Sequence, residues 1–451
     1  MSDNRNPSDS HRRLIEDHLG ERARVYGDEK AVLVAIGIDA RQVESDLHEL
    51  SLLADTAGIP TLATIVQNRR KPDPSTFVGK GKAEEIRRLV GTCNADVVIF
   101  AHSLSPAQAR NLEDATRTKV IDRSQLILDI FAQRASTKEA RLQVELAQLT
   151  YLLPRLRGWG HALTRLGGGI GTRGPGETQL EVDRNKIRRR IHALRRDLAT
   201  ASDERALRRR RRERSDLPEI VLVGYTNSGK STLLNALTSS DVHVEDRLFA
   251  TLTTFVRRGK IASGREALFT DTVGFIRNLP HDLIPAFAAT LEAAQHADLL
   301  LHIVDGSSPM ADQEIASVHQ TLDKEIFVDG HEAPPQIVVF NKCDLSGGRQ
   351  ETSQLPGTSI RVSAKRGDGL DNLRALVAEQ LDDCASWITL AVPFAATDCL
   401  HRDIGHRAGC LEHLGYDDHG AIVRVRLAPP QLARLLKAGA TIVSPPPETE
   451  R

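Results

Sequence analysis

A chain of 451 residues with 40% hydrophobic content is long enough for about three domains and has enough apolar material to give each a core. Lys plus Arg and Asp plus Glu balance at 60 each, so net charge excludes no class of partner and only its distribution along the chain is informative. The five cysteines form no C-x-x-C pair, which fits a reducing compartment. No apolar run approaches a membrane span, and Met1 to Arg13 lacks the apolar core of a secretory signal, so a cytoplasmic protein is expected.

Residues 1–24 are polar and read as a flexible tail. From 25 to 135 short apolar runs alternate with helical periods. Ala31 to Ile38, Thr61 to Val66 and Val97 to Ala101 read as strands. Val43, Leu47, Leu50 and Ala54 recur at helical spacing, and Ala83 to Val90 and Pro106 to Thr116 read as helices. This alternation predicts a small α/β domain with a mainly parallel sheet. Within it Phe77-Val78-Gly79-Lys80-Gly81-Lys82 admits two readings, a phosphate-binding helix start or a tight turn with solvated lysines.

Residues 136–214 form a long charged stretch. Leu142, Leu146, Leu149 and Leu153 make one helical stripe, and Ile187, Ile191, Leu194 and Leu198 make another. Two matching amphipathic stripes predict an antiparallel helical hairpin. The joint, Gly167 to Thr178, is Gly-rich and far longer than packing two helices demands. With Arg155, Arg157, Trp159, Arg165 and Arg173 around it, it reads either as a loop that threads into an anionic site or as a linker. The second arm is basic: Glu181 to Arg214 holds fourteen Lys/Arg against six Asp/Glu, an excess of eight positive charges in a chain that is neutral overall. Such segregation favours a nucleic-acid footprint over a merely solvated face.

From 217 to 382 the motifs carry chemistry. The apolar run Ile220 to Val223 leads into Gly224-Tyr225-Thr226-Asn227-Ser228-Gly229-Lys230-Ser231, a G-x-x-x-x-G-K-S phosphate loop, and a helical stretch follows from Thr232. The glycines let backbone N–H groups point at phosphate oxygens, and the helix adds its positive end. Lys230 is expected to neutralise the β- and γ-phosphates, and the Ser231 hydroxyl to ligate Mg²⁺. Phe249 to Thr254 reads as a loop whose Thr251 closes over the γ-phosphate and Mg²⁺. Asp271-Thr272-Val273-Gly274 follows a strand, with Asp271 reaching Mg²⁺ through water and the Gly274 N–H sensing the γ-phosphate. Asn341-Lys342-Cys343-Asp344 ends a buried strand. Asp344 is placed to accept guanine N1–H and N2–H, which adenine does not offer; Asn341 would support the base, and the Lys342 stem would cover its face. Ser363-Ala364-Lys365 ends a further strand, where the Ala364 N–H is expected to donate to guanine O6. Five such signals in this order, each beside a strand, specify a P-loop GTPase domain with GTP as its substrate.

Catalysis is less explicit. Phe275 stands where Ras-type GTPases place a water-orienting Gln, so water must be positioned by another group, a partner or a cation. Asn227 is expected either to help hold K⁺ beside the phosphates or to stabilise the turn. Residues 386–451 read as a small α+β domain with strands Thr389 to Val392 and Ala421 to Val425. Its Cys and His residues, Cys399, His401, His406, Cys410, His413 and His419, match no compact zinc spacing.

Several of these segments together resemble the HflX family of ribosome-associated GTPases: Phe77 to Lys82, Leu142 to Leu149, Gly174 to Arg184, Gly224 to Thr232 and Asp271 to Pro280. The hairpin run Gly174-Pro175-Gly176-Glu177-Thr178-Gln179-Leu180-Glu181-Val182-Asp183-Arg184 is the most distinctive. One departure is Thr253-Thr254-Phe255, where the family has an Asp-Pro-Thr-like sequence. The resemblance implies a partner, the large (50S) ribosomal subunit and its rRNA, with the tip reaching toward the peptidyl-transferase region, and a role in splitting or rescuing stalled ribosomes. A partly ribosome-associated protein, monomeric when free, is expected. The competing expectations are an RNA-binding scaffold in which nucleotide is only structural or regulatory, and a GTPase without an RNA partner.

Overall fold

The computed structural model describes residues 29–156, 175–212, 217–238, 248–249, 254–277, 287–325, 333–345, 358–383 and 386–397, and shorter pieces between 400 and 443. The chain divides into two compact units. One comprises Met1–Ser202, Val244–Thr254 and Val273–Thr290; the other comprises Asp203–His243, Phe255–Thr272 and Leu291–Arg451.

The first unit begins with β1 (Ala31–Gly37), α1 (Ala40–Thr56), β2 (Thr61–Asn68), α2 (Lys80–Cys93), β3 (Val97–Phe100), α3 (Pro106–Thr116), β4 (Lys119–Asp122) and α4 (Arg123–Arg134). The strands form a parallel sheet in the order β2-β1-β3-β4. Ala31 to Ala35 and Val97 to Phe100 are fully buried, the continuous apolar run that a parallel strand covered on both faces requires. The helix starts are written in side chains. Asp39 caps α1, Ser105 and Gln108 make a reciprocal capping box ahead of Pro106, and Asp122 caps α4. The Phe77–Lys82 segment is a tight turn into α2: Phe77 takes a left-handed φ of 62°, Gly79 is the N-cap, and Lys82 pairs with Glu85 at 2.6 Å.

Two elements escape the sequence reading. β4 has only four residues. On α4, Leu126, Ile127, Leu128, Ile130 and Phe131 are all buried, so the helix is covered nearly all round and shows no single apolar stripe.

The hairpin forms from α5 (Lys138–Arg155) and α6 (Pro175–Arg212). Leu146, Leu149, Leu152 and Leu156 pack against Ile187, Ile191 and Leu194, with Leu142, Leu153 and Leu198 at the margins. Each of the fully buried side chains contributes roughly 1.5–3 kcal/mol, so the stripes suffice to hold the arms together. α6 starts at Pro175, inside the stretch read as loop, because a proline at the first helical position has its φ preset. The tip residues Gly167 to Gly174, with Arg157, Trp159, Arg165 and Arg173, lie outside the described residues. Two arginines of the hairpin are committed internally. Arg190 makes a bidentate pair with Glu145 at 2.6 and 2.8 Å. Arg155 lies over the Tyr151 ring at 3.3 Å and donates to Leu104 O at 2.9 Å and Asp122 at 3.3 Å.

The second unit holds a six-stranded sheet built from β5 (Glu219–Gly224), β6 (Phe255–Lys260), β7 (Glu266–Asp271), β8 (Leu299–Asp305), β9 (Gln336–Asn341) and β10 (Thr358–Arg361). Its order is β10-β9-β8-β5-β7-β6, parallel except for β6 at the edge. The accompanying helices include α7 (Lys230–Thr238), the end of α8 (Ala288–Gln295), which begins in the first unit, α9 (Ala311–Glu325) and α10 (Leu370–Asp383). Leu233, Leu234 and Leu237 from α7 and Leu373 and Val377 from α10 close one core with Ile220, Leu222, Leu301 and Val339 of the sheet.

A separate four-stranded sheet follows, with β11 (Ser386–Pro393), β12 (Leu411–Tyr416), β13 (Gly420–Leu427) and β14 (Thr441–Ile442) in the order β12-β13-β11-β14. Cys399, His401, His406, Cys410 and His419 lie outside the described residues. No described helix is long and apolar enough to cross a membrane.

Candidate nucleotide site

The loop after β5 cannot carry side chains at its glycines. A Cβ on Gly224 would lie 2.2 Å from the Ile303 carbonyl oxygen. One on Gly229, where φ is +89°, would lie 2.2 Å from Asn341 Nδ2. Asn227, at the crest, is exposed and takes a left-handed φ of 60°. The loop therefore lies against the backbone of β8 and the Asn341 side chain of β9, with no room at either glycine for anything larger than hydrogen.

Lys230 opens α7 and folds back over the loop, donating to Gly224 O at 3.1 Å and Tyr225 O at 2.8 Å. Burial pulls its ammonium down to about 8, and the Asp271 carboxylate pushes the other way. Two further hydroxyls of the loop, Thr226 Oγ1 and Ser228 Oγ, are buried with no hydrogen-bond partner among the described residues. Buried orphan donors are costly, and phosphate oxygens are the acceptors that such a loop fits. Ser231 Oγ donates to Asp271 Oδ2 at 2.6 Å, so two hard oxygen donors from α7 and the end of β7 already converge. That donor chemistry fits Mg²⁺. Thr272 is fully buried and donates to Leu222 O at 2.6 Å, which ties the end of β7 to β5.

On the base side Asn341 acts as a bracket. Its Nδ2 donates to Ser228 O at 3.0 Å, and its Oδ1 accepts from Ala364 N at 3.0 Å. The Ala364 N–H, the donor expected for guanine O6, thus lies directly at this bracket. Lys342, at a left-handed φ of 60°, has its ammonium 2.8 Å from Asp305 Oδ2, which holds the stem in place. Asp305, at the end of β8, was not anticipated; a lone Asp-Gly after an apolar run is the only signal it leaves. Asp344 Oδ1 accepts from Ser363 Oγ at 2.7 Å, and that bond holds the carboxyl below its ordinary range, with Arg366 and Lys365 adding to it. Cys343 N donates to Val362 O at 3.2 Å, and burial pushes its thiol up. Lys365 is exposed.

Within the second unit, then, hydrogen bonds join the phosphate loop to Asp271 and to Asn341, Asn341 to Ala364, and Asp344 to Ser363. Val273, Gly274 and Phe275 are buried in the first unit. Thr251 lies outside the described residues.

Comparison with known proteins places the chain in a family. Residues 44–132 match a family described as GTP-binding GTPase N-terminal, 134–212 one described as GTP-binding GTPase Middle Region, and 219–342 one described as 50S ribosome-binding GTPase. The chain is 47% identical over 388 residues to GTPase HflX of Caldanaerobacter subterraneus subsp. tengcongensis, covering 85% of this chain and 87% of that protein. It is 45% identical over 375 residues to GTPase HflX of Escherichia coli, covering 82% and 87%. A solved GTP-binding protein from the archaeon Sulfolobus solfataricus, in complex with GDP, aligns at 23% identity with a TM-score of 0.40, covering 79% of this chain and 99% of that one. With relatives this similar over most of its length, the chain belongs to the HflX family of GTPases, and the reaction it carries out is the hydrolysis of GTP.

Proposed function

We propose that this GTPase is a switch that associates with the large ribosomal subunit through its basic helical arm and splits or rescues stalled ribosomes. The observation that carries the reading is the segregated charge of α6, where Arg188, Arg189, Arg195 and Arg196 are all exposed, in a chain whose 219–342 segment matches a family described as 50S ribosome-binding GTPase. Phosphate contacts of this kind give affinity and positioning without sequence readout.

In this reading the amides of Gly224 to Thr232 and the Lys230 ammonium hold the β- and γ-phosphates, and Asp344 selects guanine. Ser231 and Thr251 would ligate Mg²⁺, with Asp271 in support; the ion when bound neutralises charge on the phosphate oxygens. Thr251 and the Gly274 N–H sense the γ-phosphate. Phe275 offers no group to orient water, so hydrolysis is completed by a group that the ribosome supplies or aligns. The exposed, left-handed Asn227 would help hold K⁺ beside the phosphates. On that account, exchanging K⁺ for Na⁺ lowers turnover several-fold; equal turnover in the two salts removes K⁺ from the mechanism and leaves the nucleotide site as it is.

The reading is tested by sedimenting the protein with purified large subunits in GDP and in a non-hydrolysable GTP analogue. Binding is expected to be about tenfold or more tighter with the analogue, the scale of an ordinary allosteric coupling. Equal binding in both states supports the scaffold reading, and no binding in either removes the ribosomal partner.

A further inference from the structure

We propose that Phe131 of α4 is a positioning residue that couples the two γ-phosphate-sensing segments, the one leading to Thr251 and the one following Gly274, so that they move together. The inference rests on the reading of those segments given above, and it names a residue outside every nucleotide motif.

Four phenylalanines form a continuous buried run inside the first unit. Phe275 stacks on Phe287, with centroids 6.3 Å apart and 13° between the planes. Phe287 lies 5.6 Å from Phe131 at 61°. Phe131 meets Phe249 edge-on at 4.7 Å and 89°. None of the four is more than 2% exposed. Each such ring pair contributes about 0.5–1.5 kcal/mol beyond its buried area. Phe249 stands two residues before Thr251 and Phe275 directly after Gly274, so the Phe131 ring joins the first segment, by way of Phe287, to the second.

Backbone conformation adds a second, independent observation. Phe249 has a φ of +55°, the left-handed region that bulky residues avoid. A residue stays there only when its surroundings over-determine it, and the edge-on Phe131 ring is what Phe249 packs against. The following segment is also tied down two residues beyond Phe275. Arg277 Nη2 donates to Ser45 Oγ on α1 at 2.6 Å, and its Nη1 lies 3.9 Å from Asp46. Phe275 is thus an anchor where other GTPases use a water-orienting side chain. Loss of the Phe131 ring would let Phe249 relax to an ordinary φ, and the expected consequence is a weakening of only the γ-phosphate-dependent part of binding.

The experiment compares GDP and non-hydrolysable GTP-analogue affinities in the full chain for Phe131→Ala and Phe131→Leu, with melting curves as a control on folding. GDP affinity is expected to stay within about twofold, while analogue affinity falls about tenfold in Phe131→Ala and is largely restored in Phe131→Leu, which keeps an apolar side chain of similar reach. Should the alanine variant fail to fold, the leucine variant carries the comparison alone and is expected to show a loss of about threefold for the analogue only. An unchanged ratio of the two affinities in a folded variant, or an equal loss for both nucleotides, overturns the proposal. Normal nucleotide coupling here with no effect of nucleotide on subunit binding would count against the ribosomal reading instead.

Discussion

Asp344→Asn is expected to weaken GTP on the order of 100-fold or more, the scale of truncating one partner of a charge-assisted pair, and to turn the protein toward xanthosine triphosphate. The carboxylate is prepared for this contact. Ser363, itself fully buried, donates to one oxygen at 2.7 Å and holds the group ionised. Arg366 Nε lies 3.9 Å from the other. An ionised carboxylate accepts both guanine N1–H and the 2-amino group. An amide in its place turns one acceptor into a donor, which faces the guanine amino group badly and the C2 oxygen of xanthine well. The Lys230 loop is untouched, so the change should appear as a specificity switch, with XTP affinity rising as GTP affinity falls. Competition titrations of the two nucleotides measure it directly. Unchanged GTP affinity would sink the assignment of Asp344 as the guanine reader. Ser363→Ala should give a smaller loss in the same direction, because it removes orientation but leaves the charge.

The nucleotide motifs were legible because each is short and sits at the end of a strand, where backbone and side chain are placed by local geometry. The glycines at 224 and 229, the lysine and serine that follow, Asp271 and the Asn341–Asp344 run all stand where the spacing put them. The hairpin was legible for a different reason: a 3.6-residue period survives in the sequence even when the partner helix is dozens of residues away. Other features were not legible, each for a physical reason. α4 is covered nearly all round and so has no stripe to detect. Asp305 and Phe131 act through residues that are neighbours only after folding. Finally, a charge count treats every arginine alike, yet Arg190 is spent on Glu145 inside the first unit, whereas Arg188 and Arg189 face solvent.

That distinction sharpens the remaining prediction. Arg188→Gln with Arg189→Gln removes two exposed charges from α6 without touching the Leu/Ile seam. Each lost phosphate contact should reduce the salt slope of subunit binding by about 0.7–0.9 in log K against log salt, so the pair should flatten it by roughly 1.5 and leave GTP affinity alone. Arg190→Gln should behave otherwise. Its partner Glu145 is left without the bidentate contact, the pair is partly exposed and contributes only about 0–1 kcal/mol, and the hairpin should loosen slightly with little change in salt slope. Shortening the tip between Gly167 and Gly174, which stops before α6 begins at Pro175, tests a third property. The charges of the arm remain, so most of the electrostatic affinity should survive, while ribosome-stimulated hydrolysis or splitting is lost, because the tip is the part proposed to reach into the subunit. Sedimentation across a salt series, beside GTPase assays with and without ribosomes, separates the three. If the double arginine variant and the shortened tip both bind and respond like the parent, the hairpin is a spacer, and the RNA-facing surface must be sought on the N-terminal sheet domain.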